Sequence, residues 1–450
     1  MGGNLNMKNV ELGAYLRKLV IGVGTKVPLA NGEYVNEINF DNAATTPPFF
    51  SVMREITDFA PWYSSIHRGT GHKSIVSSDL YEQGREVIKR FVNADQARDV
   101  IIYTQNATES INMLAYKLSQ NDKKQIIIST DMEHLANDLP WRDKFQVEYV
   151  AIDEEGKLSL YDLEQKLVKN QGRVKLVTVT GASNVTGYIN PIHQVAQLAH
   201  QYGAQILVDG AQLVPHAPID MKPYDSPEHI DYLVFSAHKM YAPFGIGVLI
   251  GPKETFDKGK PVYQGGGNVR LVSHRFIEWD SPPGKDETGT PNVIGVAALI
   301  GAIETLSSIG MNVIHQYESN LIDYAIEGLK KIPHVTLYCY NERNEKRVSL
   351  ISFNIQGLSD NILAQILSRE AGIAVRNGLF CAHPYVEKLL NLSNDDLEYF
   401  HNNHDAPVPG LVRISFGLYN NYNEIDILLE VLHRIVRKRY YYREKYKNIQ

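Results

Sequence analysis

A lysine beside the end of an apolar segment is the residue whose position most suggests covalent chemistry. Lys239 lies in SAHKMYAPFGIG (236–247), between the predicted strands YLVFS (232–236) and IGVLIG (246–251). Ligands of α/β proteins bind at strand ends, and a desolvated lysine there can lose its proton and form a Schiff base. A single lysine in a turn is more often a surface residue, so the prediction depends on the neighbouring segments.

An acidic residue and an amide follow a second predicted strand. Asp209 ends the strand QILVD (205–209), and Gln212 comes three residues later. The carboxylate can pair with a protonated pyridine nitrogen and keep an aromatic cofactor ring electron-withdrawing, while Gln212 can donate to a phenolate oxygen of that ring. Asp209 alone is also typical of a turn after a strand.

A histidine follows a third apolar strand. His134 lies in DMEHLANDLPWR (131–142), directly after QIIIST (125–130). An imidazole there can lie on a cofactor ring and transfer protons, although a histidine on a helix surface is the simpler interpretation when His134 is taken alone. Together with Lys239 and Asp209, it favours an enzyme that uses pyridoxal 5′-phosphate (PLP).

The segment YTQNATESIN (103–112) predicts a strand, a tight turn and the start of a helix. Backbone amides at such a start, here at Ala107 and Thr108, can hold a phosphate with the help of the Thr108 hydroxyl. An ordinary helix cap formed by Asn106 or Thr108 explains the same residues without a ligand. The stretch GGGN (265–268) indicates only a flexible loop and matches no nucleotide-binding fingerprint.

The elements that carry these residues alternate between apolar strands and helices from about residue 100. That alternation predicts an α/β fold with a mostly parallel sheet covered by helices on both faces. Near residue 310 the pattern changes to a mixture typical of a smaller α+β domain, which ends in a helix over about 423–445. The predicted organisation is an N-terminal segment packing on the small domain (1–40), a large PLP-binding domain (41–310) and a small C-terminal domain (311–450).

Composition excludes several other classes of protein. The 450 residues include 45 Lys and Arg against 51 Asp and Glu, a net charge of −6, which argues against a broad nucleic-acid footprint. Two cysteines build neither a disulfide framework nor a thiolate zinc site, so we expect no metal and a reducing, cytoplasmic location. No apolar run reaches membrane-spanning length. The stretch RKRYYYREKYK (437–447) interleaves basic and aromatic residues, but a solvated helix end is its simpler interpretation.

A series of segments resembles fold-type I PLP enzymes of the class V aminotransferase family, and within it the group II cysteine desulfurases and selenocysteine lyases. The likeness extends over roughly residues 38–436. The matching segments are FDNAATTP (40–47), HRGTGH (67–72), NATESIN (106–112), MEHLAN (132–137), SNVTGYINPI (183–192), VDGAQLVPH (208–216), SAHKMYAP (236–243), ETGTPN (287–292), RNGLFCAHP (376–384) and VRISFGLYN (412–420).

The resemblance implies a role for each candidate residue. Lys239 is expected to be the Schiff-base lysine, Asp209 the pyridinium partner, Gln212 the phenolate partner and His134 the stacking acid–base. The expected phosphate ligands are Ala107, Thr108, Ser236 and His238, and Asn184 is expected near the substrate and the ring oxygen.

The remaining implied roles concern the substrate and a second subunit. Arg413 resembles the clamp on the substrate carboxylate, which suits a bidentate guanidinium, and Arg376 is expected in the same active site. Thr290 resembles a residue that reaches the phosphate in the other subunit, and His67 and Arg68 resemble residues that enter the partner's substrate pocket. A homodimer with shared active sites is therefore implied.

Cys381 decides the reaction that the resemblance implies. In the family's desulfurases a cysteine thiolate takes the substrate's sulfur, which leaves alanine and a persulfide on the enzyme. A sulfur-acceptor protein can then receive the outer sulfur of this persulfide. Leu379 and Phe380 stand where group II usually has two histidines, and the segment from Cys381 to Arg413 is longer than usual. A C–S lyase or an epimerase on another amino acid, with Cys381 not catalytic, stays an alternative, as does a non-catalytic scaffold in sulfur transfer.

Overall fold

The structure is a computed structural model that describes residues 11–120, 125–340 and 346–447. Its first described residues form a helical segment at 11–17, followed by an antiparallel pair of short strands, β1 (Lys26–Pro28) and β2 (Tyr34–Asn36), and by β3 (Ile38–Asn39).

A seven-stranded sheet forms the centre of the large domain, with the strand order β4-β10-β9-β8-β7-β5-β6. Strand β10 is antiparallel to both of its neighbours, and the pairs from β9 to β6 are parallel. Strands β5, β9 and β10 are buried at every position, which explains their uninterrupted apolar sequences. The bounds are β4 (Asp99–Thr104), β5 (Ile126–Thr130), β6 (Gln146–Val150), β7 (Val174–Thr180), β8 (Gln205–Asp209), β9 (Tyr232–Ser236) and β10 (Gly247–Pro252).

Helices cover this sheet, and the predicted α/β architecture is confirmed. Because β4, β5, β7, β8 and β9 run in one direction, their carboxyl ends meet at one edge, where open α/β sheets bind ligands. The helices are α1 (Phe50–Phe59), α2 (His72–Val92), α3 (Ala107–Ser119), α4 (Leu139–Arg142), α5 (Leu160–Lys169), α6 (Ile192–Gln201), α7 (Lys253–Asp257) and α8 (Val293–Ile309).

A two-stranded hairpin projects between α7 and α8. It consists of β11 (Val269–Val272) and β12 (Ile277–Trp279). Four apolar side chains on it, those of Leu271, Val272, Phe276 and Ile277, are each at least half exposed.

The C-terminal part contains a four-stranded antiparallel sheet with the order β13-β14-β17-β16. Its elements are α9 (Met311–Leu329), β13 (Val335–Leu337), β14 (Leu350–Ile355), α10 (Asp360–Ala371), β15 (Ile373–Ala374), β16 (Arg376–Gly378), α11 (His383–Leu389), α12 (Asn394–Asn402), β17 (Leu411–Ser415), α13 (Tyr422–Arg437) and α14 (Arg439–Tyr446). The prediction of one final helix over about 423–445 is wrong in one respect. The chain leaves helical geometry at Lys438, so two helices, α13 and α14, occupy this stretch.

The N-terminal segment contacts this C-terminal part. Strand β3 pairs in parallel with β15, and Arg17 forms an ion pair of 2.6 Å with Glu424 at the start of α13. The division of the chain at residues 40 and 310 stays a prediction.

No single helix within the described ranges is long and apolar enough to span a bilayer. The successive helices α8 and α9 have the required length and composition only as a pair, and they meet at an angle of 77°.

Gly247 allows β10 to approach the turn that leads into α3. A Cβ atom at Gly247 would lie 2.4 Å from the carbonyl carbon of Asn106 and 2.5 Å from its Cα. Backbone atoms cannot move aside as a flexible side chain does, so this position on the strand requires glycine.

We expect Gly247→Ala to lower the stability of the cofactor-free protein by about 1–3 kcal/mol, the usual range for overpacking, because β10 must shift away from Asn106. The measurement is the thermal unfolding midpoint, which should fall by several degrees. Gly266→Ala is the control, since a Cβ atom there meets no atom within 4 Å. Equal midpoints for the two variants would contradict the close approach.

Candidate active site

A cavity of about 410 Å³ lies at the carboxyl edge of the large sheet. Most of the residues predicted for one active site line this cavity. They are Ala107, Thr108, His134, Asn184, Asp209, Gln212, Ser236, His238, Lys239, Arg376, Cys381 and Arg413.

Lys239 ends the short 3₁₀ turn that follows β9. Its amine has no hydrogen-bond or ion-pair partner in the described part of the chain. Burial lowers the pKa of Lys239 to about 8; the charge of Arg413 acts in the same direction, and those of Asp209 and Cys381 oppose it. An amine with this pKa is partly unprotonated at neutral pH, as a lysine that attacks a carbonyl group must be.

Asp209 is buried at the end of β8. Its Oδ1 atom accepts one hydrogen bond, of 3.0 Å, from the backbone N–H of Ala211. Burial raises the pKa of Asp209, and this bond and the charge of Lys239 act in the opposite direction. A carboxylate in such surroundings is stable only beside a cationic or donating group. Gln212 donates from Nε2 to the carbonyl of Ala43 at 2.8 Å, and its buried Oε1 has no hydrogen-bond partner in the described ranges.

His134 faces the same cavity from the turn after β5. Its Nδ1 accepts a hydrogen bond of 3.0 Å from the Ala136 N–H, which places the proton of the neutral imidazole on Nε2. Burial lowers the pKa of His134 to about 4, and the charges of Lys239 and Arg413 add to this effect. The ring is therefore uncharged at neutral pH and offers an N–H donor.

The start of α3 forms the opposite end of the cavity. Asn106 caps this helix by accepting a hydrogen bond of 3.0 Å from the Glu109 N–H, so the cap considered from the sequence is present. The Ala107 N–H donates to the Ser236 hydroxyl at 2.8 Å, which ties the helix start to the end of β9. Thr108 and His238 complete this positively polarised corner, which suits an anion. Burial lowers the pKa of His238 to about 4.

Two arginines converge on the other side of the cavity. Arg413, on β17, is buried; its Nη1 donates to the Asn184 carbonyl at 2.8 Å, and its Nε has no hydrogen-bond partner among described residues. Burial lowers the pKa of Arg413 to about 10, so it stays charged at neutral pH. Arg376, on β16, lies half exposed beside it and binds Asp41 at 2.9 Å.

Cys381 is exposed in the short connection between β16 and α11. Phe380 and Cys381 have positive φ angles of 51° and 53°. The Phe380 carbonyl accepts a hydrogen bond of 2.7 Å from the Asn184 side chain, and the Cys381 carbonyl accepts one of 2.7 Å from the Leu135 N–H. These bonds fix the backbone of Cys381 next to His134.

Three residues of the site were not found from the sequence. Asp41 contacts both arginines, and the Phe380 ring lies over the Arg413 guanidinium, with 4.9 Å between its centroid and Cζ. Glu133 fixes the turn of His134 through three donors, the Thr130 hydroxyl, the Thr180 N–H and the Asn137 amide, at 2.6–2.9 Å. Asp41 and Glu133 were available as the first acidic residues of FDNAATTP and MEHLAN.

The remaining three predicted residues lie outside the first cavity. His67, Arg68 and Thr290 are exposed and line a second cavity of about 670 Å³. His67 contacts Glu82 at 3.0 Å, and Glu82 contacts Arg85 at 3.0 Å. A single chain therefore does not bring these residues to Lys239.

Comparisons with known proteins agree with this geometry. The profile of the family described as Aminotransferase class-V matches residues 38–428. A probable cysteine desulfurase from Synechocystis sp. is 36% identical over 408 residues, which cover 89% of this chain and 91% of that protein. A cysteine desulfurase from Haloferax volcanii is 32% identical over 403 residues, 88% of each chain.

Solved structures give the same result. The apo structure of a cysteine desulfurase from Thermococcus onnurineus NA1 has a TM-score of 0.79 at 32% identity and covers 92% of this chain and 97% of its own. The cysteine desulfurase CsdA from Escherichia coli, in an S-sulfonic acid form, has a TM-score of 0.78 at 29% identity and covers 94% and 98%.

The fold and the site at the strand ends define a fold-type I PLP-dependent architecture. The chain belongs to the class V aminotransferase family, whose members use PLP. The predicted resemblance to this family, and to its cysteine desulfurases in particular, is confirmed.

Acidification should destabilise the protein through His134. Unfolded histidine takes up a proton near its ordinary pKa of about 6.5, but folded His134 does so only near 4. Its contribution to stability is thus complete above about pH 6.5 and is lost as the pH falls toward 4. We expect His134→Gln to reduce the loss of stability between pH 7 and pH 5 by about 1–2 kcal/mol.

The measurement is urea unfolding of the cofactor-free protein at both pH values. His401→Gln, at an exposed position on α12, should keep the wild-type difference. If His134→Gln lost as much unfolding free energy between pH 7 and pH 5 as the wild type, the result would show that this imidazole is not buried in its neutral form.

Proposed function

We propose that this protein binds PLP covalently through Lys239 and removes sulfur from L-cysteine, giving alanine and a persulfide on Cys381. The observation that carries the proposal is the placement of Lys239, Asp209 and Cys381 around one cavity, with Asp209 buried and Lys239 partly buried. The naming of its relatives as cysteine desulfurases supports the choice of substrate.

The residues of the cavity fit the cofactor. Asp209 is a buried carboxylate with a single N–H donor, which a pyridinium N–H would complete. The Gln212 side-chain amide uses one of its two N–H groups to bind the Ala43 carbonyl and keeps the other for a cofactor oxygen. The start of α3, together with Ser236 and His238, suits a phosphate. When bound, PLP supplies an electron sink that stabilises negative charge at the carbons of an attached amino acid.

The chain's own groups perform the remaining work. Arg413 and Arg376 bind the substrate carboxylate, and His134 holds a proton on Nε2 for transfer. The Cys381 thiolate attacks the substrate sulfur, so an S–S bond forms as the C–S bond breaks. The electron pair of the C–S bond stays on carbon, which takes up a proton; the product is alanine, and the substrate sulfur remains on Cys381.

We expect Cys381→Ser to abolish persulfide formation and most alanine production from cysteine, because serine cannot accept sulfur. The visible absorption of the bound cofactor should remain. Cys339→Ser is the control and should retain activity. The measurement is the rate of alanine release, together with the mass of the protein after incubation with cysteine.

Release of free sulfide by Cys381→Ser at the wild-type rate would favour the C–S lyase alternative. The apolar neighbours Leu379 and Phe380 are the observation behind that alternative, since an apolar environment opposes a thiolate. Activity on selenocysteine stays a prediction. Selenium leaves carbon more readily than sulfur does, so this activity does not require Cys381 as a nucleophile.

A homodimer with shared active sites is part of the proposal. Support comes from the exposure of His67, Arg68 and Thr290 away from Lys239 and from the apolar hairpin β11–β12, which a partner subunit would cover. In this arrangement Thr290 contributes to the partner's phosphate site, and His67 and Arg68 contribute to its substrate pocket.

Mixed dimers test whether the two subunits share their active sites. Lys239→Ala and Arg68→Ala, each inactive alone, should regain activity when mixed, because a hybrid dimer has one site with both residues intact. Mixing Lys239→Ala with Arg413→Ala should restore nothing, since both residues belong to the same subunit's site. Restoration in both mixtures or in neither, in proven hybrid dimers, would contradict the proposed sharing.

We propose further that the exposed Cys381 passes its sulfur to an acceptor protein in the cytoplasm. Support comes from the exposure of the thiol and from the fixed backbone around it, which requires the acceptor to come to Cys381. We expect no role in binding nucleic acid or membranes.

A further inference from the structure

A buried ion pair between Arg85 and Glu287 lies beside the second cavity, the one that His67, Arg68 and Thr290 line. The side chains of Arg85 and Glu287 are 8% and 5% exposed. Two hydrogen bonds join them, from Nη1 to Oε1 at 2.8 Å and from Nη2 to Oε2 at 2.9 Å. This bidentate arrangement fixes the relative direction of the two side chains as well as their distance.

Each of the five N–H groups of Arg85 donates a hydrogen bond. Besides the two bonds to Glu287, one bond of 2.6 Å reaches the Ile101 carbonyl at the centre of β4. The other two reach the Glu82 carboxylate, from Nε at 3.0 Å and from Nη2 at 3.4 Å. The guanidinium therefore joins α2, β4 and the segment of Glu287 at one point.

Two tyrosines complete the surroundings of the pair. The Tyr103 N–H donates to Glu287 at 2.8 Å, and the Tyr81 hydroxyl donates to it at 2.7 Å. The rings of the same tyrosines lie over the Arg85 guanidinium, with 5.0 Å from Cζ to the Tyr81 centroid and 4.6 Å to the Tyr103 centroid. The carboxylate and the guanidinium are thus held in place from several sides.

Both segments that the proposed dimer presents to its partner are connected to Arg85. Glu82, which Arg85 binds, contacts Nε2 of His67 at 3.0 Å. Glu287, which Arg85 also binds, comes three residues before Thr290. One buried side chain consequently sets the position of two segments that are more than 200 residues apart in the sequence.

From these contacts we propose that Arg85 is a positioning residue for the partner's active site, because it holds His67 and Thr290 in the direction of the partner subunit. The inference rests on the proposed function, since it takes the active sites as shared between two subunits. A buried ion pair also stabilises the fold of its own chain, and the two roles differ in which of the two active sites a change at Arg85 damages.

Hybrid dimers separate the two roles, because the same two substitutions can be placed in different subunits or in one. In the first hybrid, one subunit carries Arg85→Gln and the other carries Lys239→Ala. Its one working Lys239 receives intact segments from the partner. In the second hybrid, one subunit carries both substitutions and the other is wild type, so the working Lys239 receives the disturbed segments.

We expect the first hybrid to release alanine from cysteine about tenfold faster than the second or better, because small displacements of positioning groups are costly. A purely structural role predicts equal rates, since both hybrids contain the same substitutions. Equal rates, or a slower first hybrid, would overturn the proposal. Arg90→Gln, at an exposed position on the same helix, is the control and should give equal rates in the two arrangements.

The same pair of hybrids with Arg68→Ala in place of Arg85→Gln shows which claim has failed. A difference between the arrangements for Arg68 but not for Arg85 would overturn the role of Arg85 alone. Equal rates for both residues would overturn the shared active sites as well.

A second measurement needs no sulfur chemistry. The cofactor-free Arg85→Gln protein is titrated with PLP and with pyridoxal, which lacks the phosphate, and the visible absorption of the bound cofactor is followed. We expect the dissociation constant of PLP to rise about tenfold, the scale of one hydrogen bond to a charged group, and that of pyridoxal to stay unchanged. An equal loss of affinity for both compounds, or no loss for PLP, would overturn the role proposed through Thr290.

Arg85→Lys keeps the proposal testable if Arg85→Gln does not fold. Lysine retains a positive charge beside Glu287 but has no planar fork to bind Glu82 and Glu287 together. We expect the same difference between the two hybrids and the same selective loss of PLP affinity, each smaller than with glutamine. Wild-type behaviour of a folded Arg85→Lys protein in both measurements would overturn the proposal.

Discussion

Burial of charged groups at the carboxyl edge of the seven-stranded sheet is the constraint on which the rest of the site depends. Asp209 ends β8, and Lys239 ends the short turn that follows β9; the parallel pairing of these two strands brings both groups to the same edge. Desolvation moves the pKa of the lysine down and that of the aspartate up, so each is less stable as an ion than in water. A protein retains such groups where a bound molecule uses them.

The second half of the site is assembled from distant parts of the chain. Asn184, after β7, accepts a hydrogen bond from Arg413 on its backbone carbonyl and donates one from its side chain to Phe380. One residue of the large domain thereby fixes both the carboxylate clamp and the connection that carries Cys381. The position of the thiol relative to the clamp consequently depends on how the small sheet lies against the large one.

Much of the first cavity was predictable, because its residues follow strands whose apolar sequences are evident and because parallel strands end together. The contacts of Asp41 were not predictable, since Arg376 is 335 residues away in the sequence and charge alone does not choose between the two arginines and solvent. The hydrogen bonds that hold the backbone at Phe380 and Cys381 were not predictable for a similar reason, because they come from Asn184 and Leu135, far away in the sequence.

The antiparallel direction of β10 and the break at Lys438 were also beyond the sequence pattern. A fully buried strand has the same apolar sequence in either direction, and the residues around Lys438 are compatible with a continuous helix. Both features depend on packing against elements far away in the chain.

The central claim is that Lys239 and Cys381 act on the same bound substrate. Borohydride treatment of the PLP-loaded protein, followed by peptide mass mapping, tests the first half most directly. We expect the reduced cofactor on the peptide that contains Lys239 and, in a parallel sample incubated with cysteine, one additional sulfur atom on the peptide that contains Cys381. Cofactor on another lysine, or added sulfur only on the Cys339 peptide, would contradict it.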